Sequence, residues 1–368
     1  MLYHLLAPLS DQFILFNLFR YITFRAAGAM TTAIIVAFAL GPMVIRWLRR
    51  LRVGQVVRAE GPATHLGKAG TPTMGGVLIL LSTTTAVLLW AELTNVYTLV
   101  ALGVLLVMGG IGFLDDYLKV VRRRTEGLVG RYKLIGQGVV GLIVGSVLLF
   151  GDVSPVPATW TSVPFLADYH LEIIRPLFIP WVMLVLAGSS NAVNLTDGLD
   201  GLAAGLASIA AATFAIFAYL IGRVDTSTYL GLFYLPGSGE LAVVSVALAG
   251  ATLGFLWYNA HPAELFMGDT GSLAIGGAIG AIAILLKAEF LLVIVGGVFV
   301  LEALSVMIQV GWFKYTAKRY GRGLRVFRMA PLHHHFEKGG WAESKVIIRF
   351  WILGILCALV AFSTLKIR

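Results

Sequence analysis

Charge is scarce in this chain. Asp, Glu, Lys and Arg make up 13% of its 368 residues, where ordinary soluble domains carry about 25%, and the mean hydropathy is +0.87. A water-soluble globular protein is excluded. Cysteine is nearly missing as well: Cys357 stands alone inside an apolar run, so no internal disulfide can form. The apolar runs lack the polar and apolar alternation over about ten positions that a membrane β-barrel needs. No internal repeat or low-complexity linker interrupts the sequence, and residues 1–368 read as one domain.

What the chain has instead is apolar length. Crossing the hydrocarbon core as helix takes about 17 to 24 predominantly apolar residues. Such runs occupy 26–45, 74–90, 97–114, 134–150, 176–193, 202–221, 241–258, 270–286, 290–313 and 346–365. The expected fold is an all-α integral membrane protein, a bundle of ten transmembrane helices. Residues 1–20 are also apolar, but Asp11, Gln12 and Asn17 interrupt them and no basic residue precedes them. They fit neither a cleaved signal nor a clean span, so an interfacial N-terminal segment is expected there.

Basic residues set the orientation, because Lys and Arg near span ends stay on the cytoplasmic side. Six fall in 46–71, six in 117–133 and eight in 313–345; in a ten-span bundle these segments share one side. Arg349 sits inside the last span, and the seven others lie on the opposite side or at the chain ends. Both termini are then periplasmic and the basic connections cytoplasmic. The net charge of +9 serves lipid headgroups or a phosphorylated substrate and does not call for nucleic acid.

Polar residues gather on that same side. The inner connections carry "GKAGTPTMGG" (67–76), "FLDDYLKV" (113–120), "SSNAVNLTDGLDGL" (189–202), "YNAHPAELFMGDTGS" (258–272) and "PLHHHFE" (331–337). The outer ones (91–96, 151–175, 222–240 and 287–289) read as plain connectors. Asp115 and Asp116 close a span at its C-terminal end, where the helix dipole already places negative charge. A divalent cation, or Lys119 and Arg122–Arg124 nearby, would relieve that conflict. Asn194, Asp197 and Asp200, spaced by three, sweep about 120° of one helix face; they converge on a ligand or form a glycine-rich turn with an Asp cap. Asp269 in "MGDTGS" fits an N-cap, and equally an anion or hard-cation site at a helix start.

Lys68 lies in a glycine-rich loop without the Ser or Thr that must follow a P-loop lysine, and retention on the basic side accounts for it equally well. His333, His334 and His335 cannot all point one way, so at most two address one ligand. Zinc sites draw on spaced ligands, whereas imidazoles that hydrogen-bond phosphate oxygens suit the basic loop around them. Glu302 and Arg349, inside spans, rank below this inner cluster and stand apart from it. Acids, a lysine and imidazoles at one membrane face support metal-assisted phosphoryl transfer.

The blocks "GTPTMGG", "DDYLK", "NAVNLTDGLDGL", "LFMGDTGS" and "PLHHHFE" resemble the signature blocks of the phospho-N-acetylmuramoyl-pentapeptide-transferase family, within the polyprenyl-phosphate N-acetylhexosamine-1-phosphate transferase superfamily. The likeness runs from about Phe24 to the last span, and "PLHHHFE" is its most discriminating block. It implies transfer of phospho-MurNAc-pentapeptide from UDP-MurNAc-pentapeptide to undecaprenyl phosphate in the bacterial cytoplasmic (inner) membrane, giving lipid I and UMP for peptidoglycan. It further implies Mg²⁺, ten transmembrane helices and a homodimer.

Carried over by position, the resemblance makes Asp269 the principal Mg²⁺ ligand, with Asp115 and Asp116 beside the metal and the lipid phosphate. It gives Lys68, Asn194, Asp197, Asp200, Asn259 and Phe266 to the nucleotide sugar, with Phe266 stacking on uracil. His333 and His334 fall at the diphosphate or sugar end, and His335 joins the substrate-binding set. Two rivals remain: a transferase using UDP-GlcNAc, and an ion-coupled transporter, which would need polar residues at mid-membrane.

Overall fold

The computed structural model describes residues 1–51, 70–120, 122, 127–166 and 169–366. Its helices are α1 (Leu2–Leu6), α2 (Ile22–Arg50), α3 (Gly76–Trp90), α4 (Val96–Val120), α5 (Gly130–Phe150), α6 (Arg175–Thr196), α7 (Leu202–Ile221), α8 (Val224–Leu230), α9 (Glu240–Asn259), α10 (Gly268–Leu285), α11 (Glu289–Val295), α12 (Gly297–Tyr320), α13 (Leu332–Glu337) and α14 (Glu343–Ser363). Among the described residues nine helices are long and apolar enough to cross a membrane, and α3 is a shorter apolar helix. The chain is an all-α, multi-pass membrane protein.

Two expectations change in detail. The apolar run 290–313 is divided at Gly296 into α11 and α12; two successive glycines, poor helix formers, break a stretch whose hydropathy is continuous. The 151–175 connection is more than a connector: β1 (Trp160–Ser162) and β2 (His170–Glu172) pair antiparallel. At three residues each, these strands are too short to leave a legible alternation.

The centre of the bundle is α10, where every residue from Thr270 to Leu285 is buried. It packs against α3, α4, α6 and α7. A helix enclosed on all sides needs no lipid-facing stripe, and its Gly, Ala and Ser residues let neighbouring backbones come close. Gly112 of α4 marks one such close approach: a Cβ there would fall 2.1 Å from the carbonyl oxygen of Asp269. By contrast α12 and α14 turn Leu301, Met307, Ile308, Ile352, Leu356 and Leu359 outward.

The two chain ends lie at one end of the bundle. The Met1 amine donates to the carbonyl of Leu88 in α3 at 2.5 Å, and the Lys366 ammonium stands 3.8 Å over the Tyr229 ring of α8. A buried ion pair between Arg25 and Glu240, 2.5 Å long, braces α2 to α9 at that end. The C-terminal end of α4 and the N-terminal ends of α3 and α10 meet at the other.

Candidate active site

The site is built where α4 finishes against the start of α10. Asp116 accepts hydrogen bonds from the Asp269 N–H (3.2 Å), the Thr270 N–H (2.9 Å) and the Thr270 hydroxyl (2.7 Å). A carboxylate placed unfavourably by the dipole of its own helix thus caps the positive end of another. Gly268 makes the junction possible: its φ is +71°, and a Cβ would lie 2.6 Å from Asp116 Oδ2.

Asp269 is therefore the second residue of α10 and not its cap. Its Oδ2 receives the ammonium groups of Lys133 at 2.5 Å and Lys119 at 3.1 Å, and its Oδ1 receives the Asn194 amide at 2.8 Å. Asp115, fully buried, pairs with Lys119 at 2.5 Å and Lys133 at 3.1 Å and accepts the Leu128 N–H at 2.7 Å. Asp197 follows the end of α6. Burial pushes its carboxyl up to about 8, with the charges of Asp269, Asp116 and Asp200 adding to the rise and a Gly268 N–H opposing it.

Formally, the four carboxylates of Asp115, Asp116, Asp197 and Asp269 stand against the two ammonium groups of Lys119 and Lys133. That surplus adds to burial, the larger cause, in raising the Asp197 carboxyl. A divalent cation matches it. Asp115, Asp116 and Asp269 each offer a carboxylate oxygen, these atoms lying within 4.8 Å of one another, and an all-oxygen donor set suits a hard ion such as Mg²⁺.

Neighbouring loops are strapped to this junction. The Phe266 N–H donates to Pro72 O (2.9 Å), while the Gly75 and Gly76 N–H groups donate to Phe266 O and Met267 O (2.8 Å each). "GTPTMGG" and "LFMGDTGS" thus lie side by side, with Phe266 half-buried; Lys68 falls outside the described residues. Asn259 is an internal brace, its Oδ1 accepting the Gly201 N–H (3.0 Å) and its Nδ2 donating to Leu265 O (2.8 Å). Asp200 Oδ2 accepts the Ala263 N–H at 3.1 Å, and the Asp200 N–H donates to Glu343 at 3.1 Å.

The histidines divide in three directions, as their adjacency requires. His333 is fully buried; its N–H donates to Glu302 Oε1 at 3.2 Å, its Nδ1 lies 3.2 Å from the same oxygen, and its Nε2 lies against Gly198. His334 Nδ1 lies 2.7 Å from Glu337, and His335 Nδ1 accepts the Arg328 N–H at 3.1 Å. Glu302, expected to stand apart from the inner cluster, instead supports it. The chain after α12 folds back as α13 and brings His333 to the second turn of that helix. Arg349 does stand apart, 4.1 Å over the Trp341 ring.

Sequence reasoning missed Lys133, Thr270, His261 and Glu343. Lys133 looked like any basic residue beside a span; its place one turn into a helix that follows "DD" was the only signal. Thr270, His261 and Glu343 act through residues far away in sequence.

Known proteins similar to the chain place it in a family. A family model for glycosyl transferase family 4 matches residues 97–287, and the phospho-N-acetylmuramoyl-pentapeptide-transferase signature 1 matches residues 68–80. Proteins named phospho-N-acetylmuramoyl-pentapeptide-transferase from Gemmatimonas aurantiaca, Granulibacter bethesdensis and Desulfatibacillum aliphaticivorans are 57%, 55% and 54% identical to the chain, each alignment covering the whole of both sequences.

Proposed function

The chain belongs to the phospho-N-acetylmuramoyl-pentapeptide-transferase family, and on that premise we propose that it transfers phospho-MurNAc-pentapeptide from UDP-MurNAc-pentapeptide to undecaprenyl phosphate, forming lipid I and UMP. One observation carries the reading: Asp115, Asp116 and Asp269 converge from two helix ends with Lys119 and Lys133 between them. Acids in excess of cations at a membrane face are what a diphosphate donor with a divalent ion requires.

In the proposed reaction an oxygen of the lipid phosphate forms a bond to the sugar-linked phosphorus, and the bond from that phosphorus to UMP breaks. A phosphate monoester has its second pKa near 6, so the acceptor is largely deprotonated at neutral pH. Asp115 or Asp116 has only to orient it and take up a residual proton. Lys119 and Lys133, already shared between Asp115 and Asp269, donate hydrogen bonds to phosphoryl oxygens as charge builds on the leaving group. Asn194 steadies Asp269 through their 2.8 Å hydrogen bond. Asp269, Asp115 and Asp116 would hold Mg²⁺, whose charge would neutralise diphosphate oxygens.

Asp197, Asp200, Asn259, Phe266 and Lys68 serve the nucleotide sugar in this reading, and His333, His334 and His335 its sugar or diphosphate end. The protein sits in the bacterial inner membrane as ten spans with both termini periplasmic and the site facing the cytoplasm. The one-sided Lys and Arg residues support that orientation, as does the position of the termini at the end away from the acids. A homodimer is carried over from the family resemblance.

The test is detection of UMP and a lipid-linked product from the purified protein with Mg²⁺, offering UDP-MurNAc-pentapeptide and UDP-GlcNAc in parallel. Product from the first alone supports the proposal. Product from the second alone moves the chain to GlcNAc-1-phosphate transfer. A stoichiometric burst of UMP without lipid acceptor would contradict direct attack.

A further inference from the structure

Beside the acid cluster, the described residues bring together a second set of ligating side chains: Asp200 from the α6–α7 turn, His261 from the α9–α10 connection and Glu343 from the first turn of α14. We propose that these three side chains form a second binding site, for a borderline divalent cation of the Zn²⁺ type. Asp200 also belongs to the nucleotide-sugar set proposed above, so the two sites would adjoin; the inference stands on the placement of the three side chains.

The spacing is that of a four-coordinate ion. His261 Nδ1 lies 3.2 Å from Asp200 Oδ2 and 3.6 Å from Glu343 Oε2. Ligands about 2.0–2.1 Å from a tetrahedral ion stand roughly 3.3–3.4 Å from one another, between the two observed separations. Both separations from the imidazole lie within a few tenths of an ångström of that value, and the three ligand atoms all lie within 4.8 Å of one another.

The side chains are also held in place. Asp200 Oδ2 is fixed by the Ala263 N–H at 3.1 Å. Glu343 Oε1 is held by the Asp200 N–H at 3.1 Å, which leaves Oε2 turned toward the imidazole. Metal sites depend on such outer hydrogen bonds to orient their ligands.

The donor types separate this site from the first. One imidazole nitrogen and two carboxylates suit zinc, cobalt or nickel, whereas Mg²⁺ prefers an all-oxygen octahedron. Three protein ligands leave a fourth position open, the pattern of an exchangeable site and not of a closed structural one. Access runs past His261, whose side chain is 41% exposed while those of Asp200 and Glu343 are 2% and 8% exposed. A bound ion would tie three connections at one end of the bundle and fix the start of α14 against the turn that carries Asp197.

The experiment uses the full-length purified protein with Co²⁺ as a spectroscopic probe, titrated in excess Mg²⁺ to mask the all-oxygen site. Expected is one Co²⁺ per chain with the intense visible absorption of tetrahedral cobalt. The affinity should fall at least tenfold in His261→Ala and in Glu343→Gln and stay unchanged in Asp269→Asn. His261 is exposed, so its replacement keeps the test decisive if the Glu343 variant does not fold. The proposal is overturned if the wild-type chain shows no such absorption, if His261→Ala retains it, or if Asp269→Asn removes it.

Discussion

The two ends of the bundle both bury ionisable groups, yet they balance them differently. At the end that holds the chain termini Lys287 and Glu289 are almost wholly enclosed. Lys287 donates to the carbonyls of Pro157 (2.9 Å) and Ala158 (2.8 Å), and Glu289 accepts the Thr161 hydroxyl. Burial lowers the Lys287 ammonium and raises the Glu289 carboxyl from their ordinary values. Arg25 and Glu240 form a second balanced pair there. A cavity of about 440 Å³ at this end is lined by Asp152, Glu172, Arg175 and Lys287, again with equal signs. At the other end, where α4 meets α10, four acids meet two lysines. Buried charge is thus balanced at one end and left unbalanced at the other.

The comparison can be broken most severely at Asp269. Asp269→Asn removes one of the surplus acids and is expected to cut kcat about a thousandfold or more, read as UMP release, while thermal unfolding stays near that of the wild type. Changing the balance in the other direction comes next. Lys133→Met should lower kcat about a hundredfold, with partial recovery in Lys133→Arg, since the charge returns with a different geometry. Forcing α4 and α10 apart tests the junction itself: Gly112→Ala is expected to cost about 1–3 kcal/mol of stability, measured by thermal unfolding, together with activity.

The outer pair should behave oppositely. Lys287→Met leaves Glu289 to neutralise itself by protonation, so the expected loss is about 1–3 kcal/mol of stability with kcat per folded molecule unchanged. The smallest effect concerns Asp197. A carboxyl raised from its ordinary 3.8 to about 8 opposes folding increasingly as pH climbs between those values, because the folded state holds a proton that the unfolded state has released. In a metal-free buffer the melting temperature of the wild type should fall relative to Asp197→Asn as pH rises from about 5 to about 8.

Much of this contrast was legible in the sequence, and the rest was hidden for definite reasons. Uninterrupted apolar runs foretold the spanning helices, because lipid requires every backbone group to be satisfied within its own helix. The gathering of Asp115, Asp116, Asn194, Asp197 and Asp269 on one side followed from counting spans. The break at Gly296 left no trace in hydropathy. The capping of α10 by Asp116 joins residues 153 positions apart, beyond any local pattern. Lys133 was masked by the basic residues that orient the chain, and Lys287 and Glu289 by a three-residue connector whose burial depends on how β1 docks against it, through the Ser162 N–H on Lys287 O at 2.9 Å.

The central claim is that surplus acid where α4 meets α10 holds a divalent cation. Manganese binding to the purified protein, followed by electron paramagnetic resonance in the wild type and in Asp269→Asn, tests it most directly. The expected result is a tight ion in the wild type and at least tenfold weaker binding in the variant. Equal binding by the two proteins would contradict it.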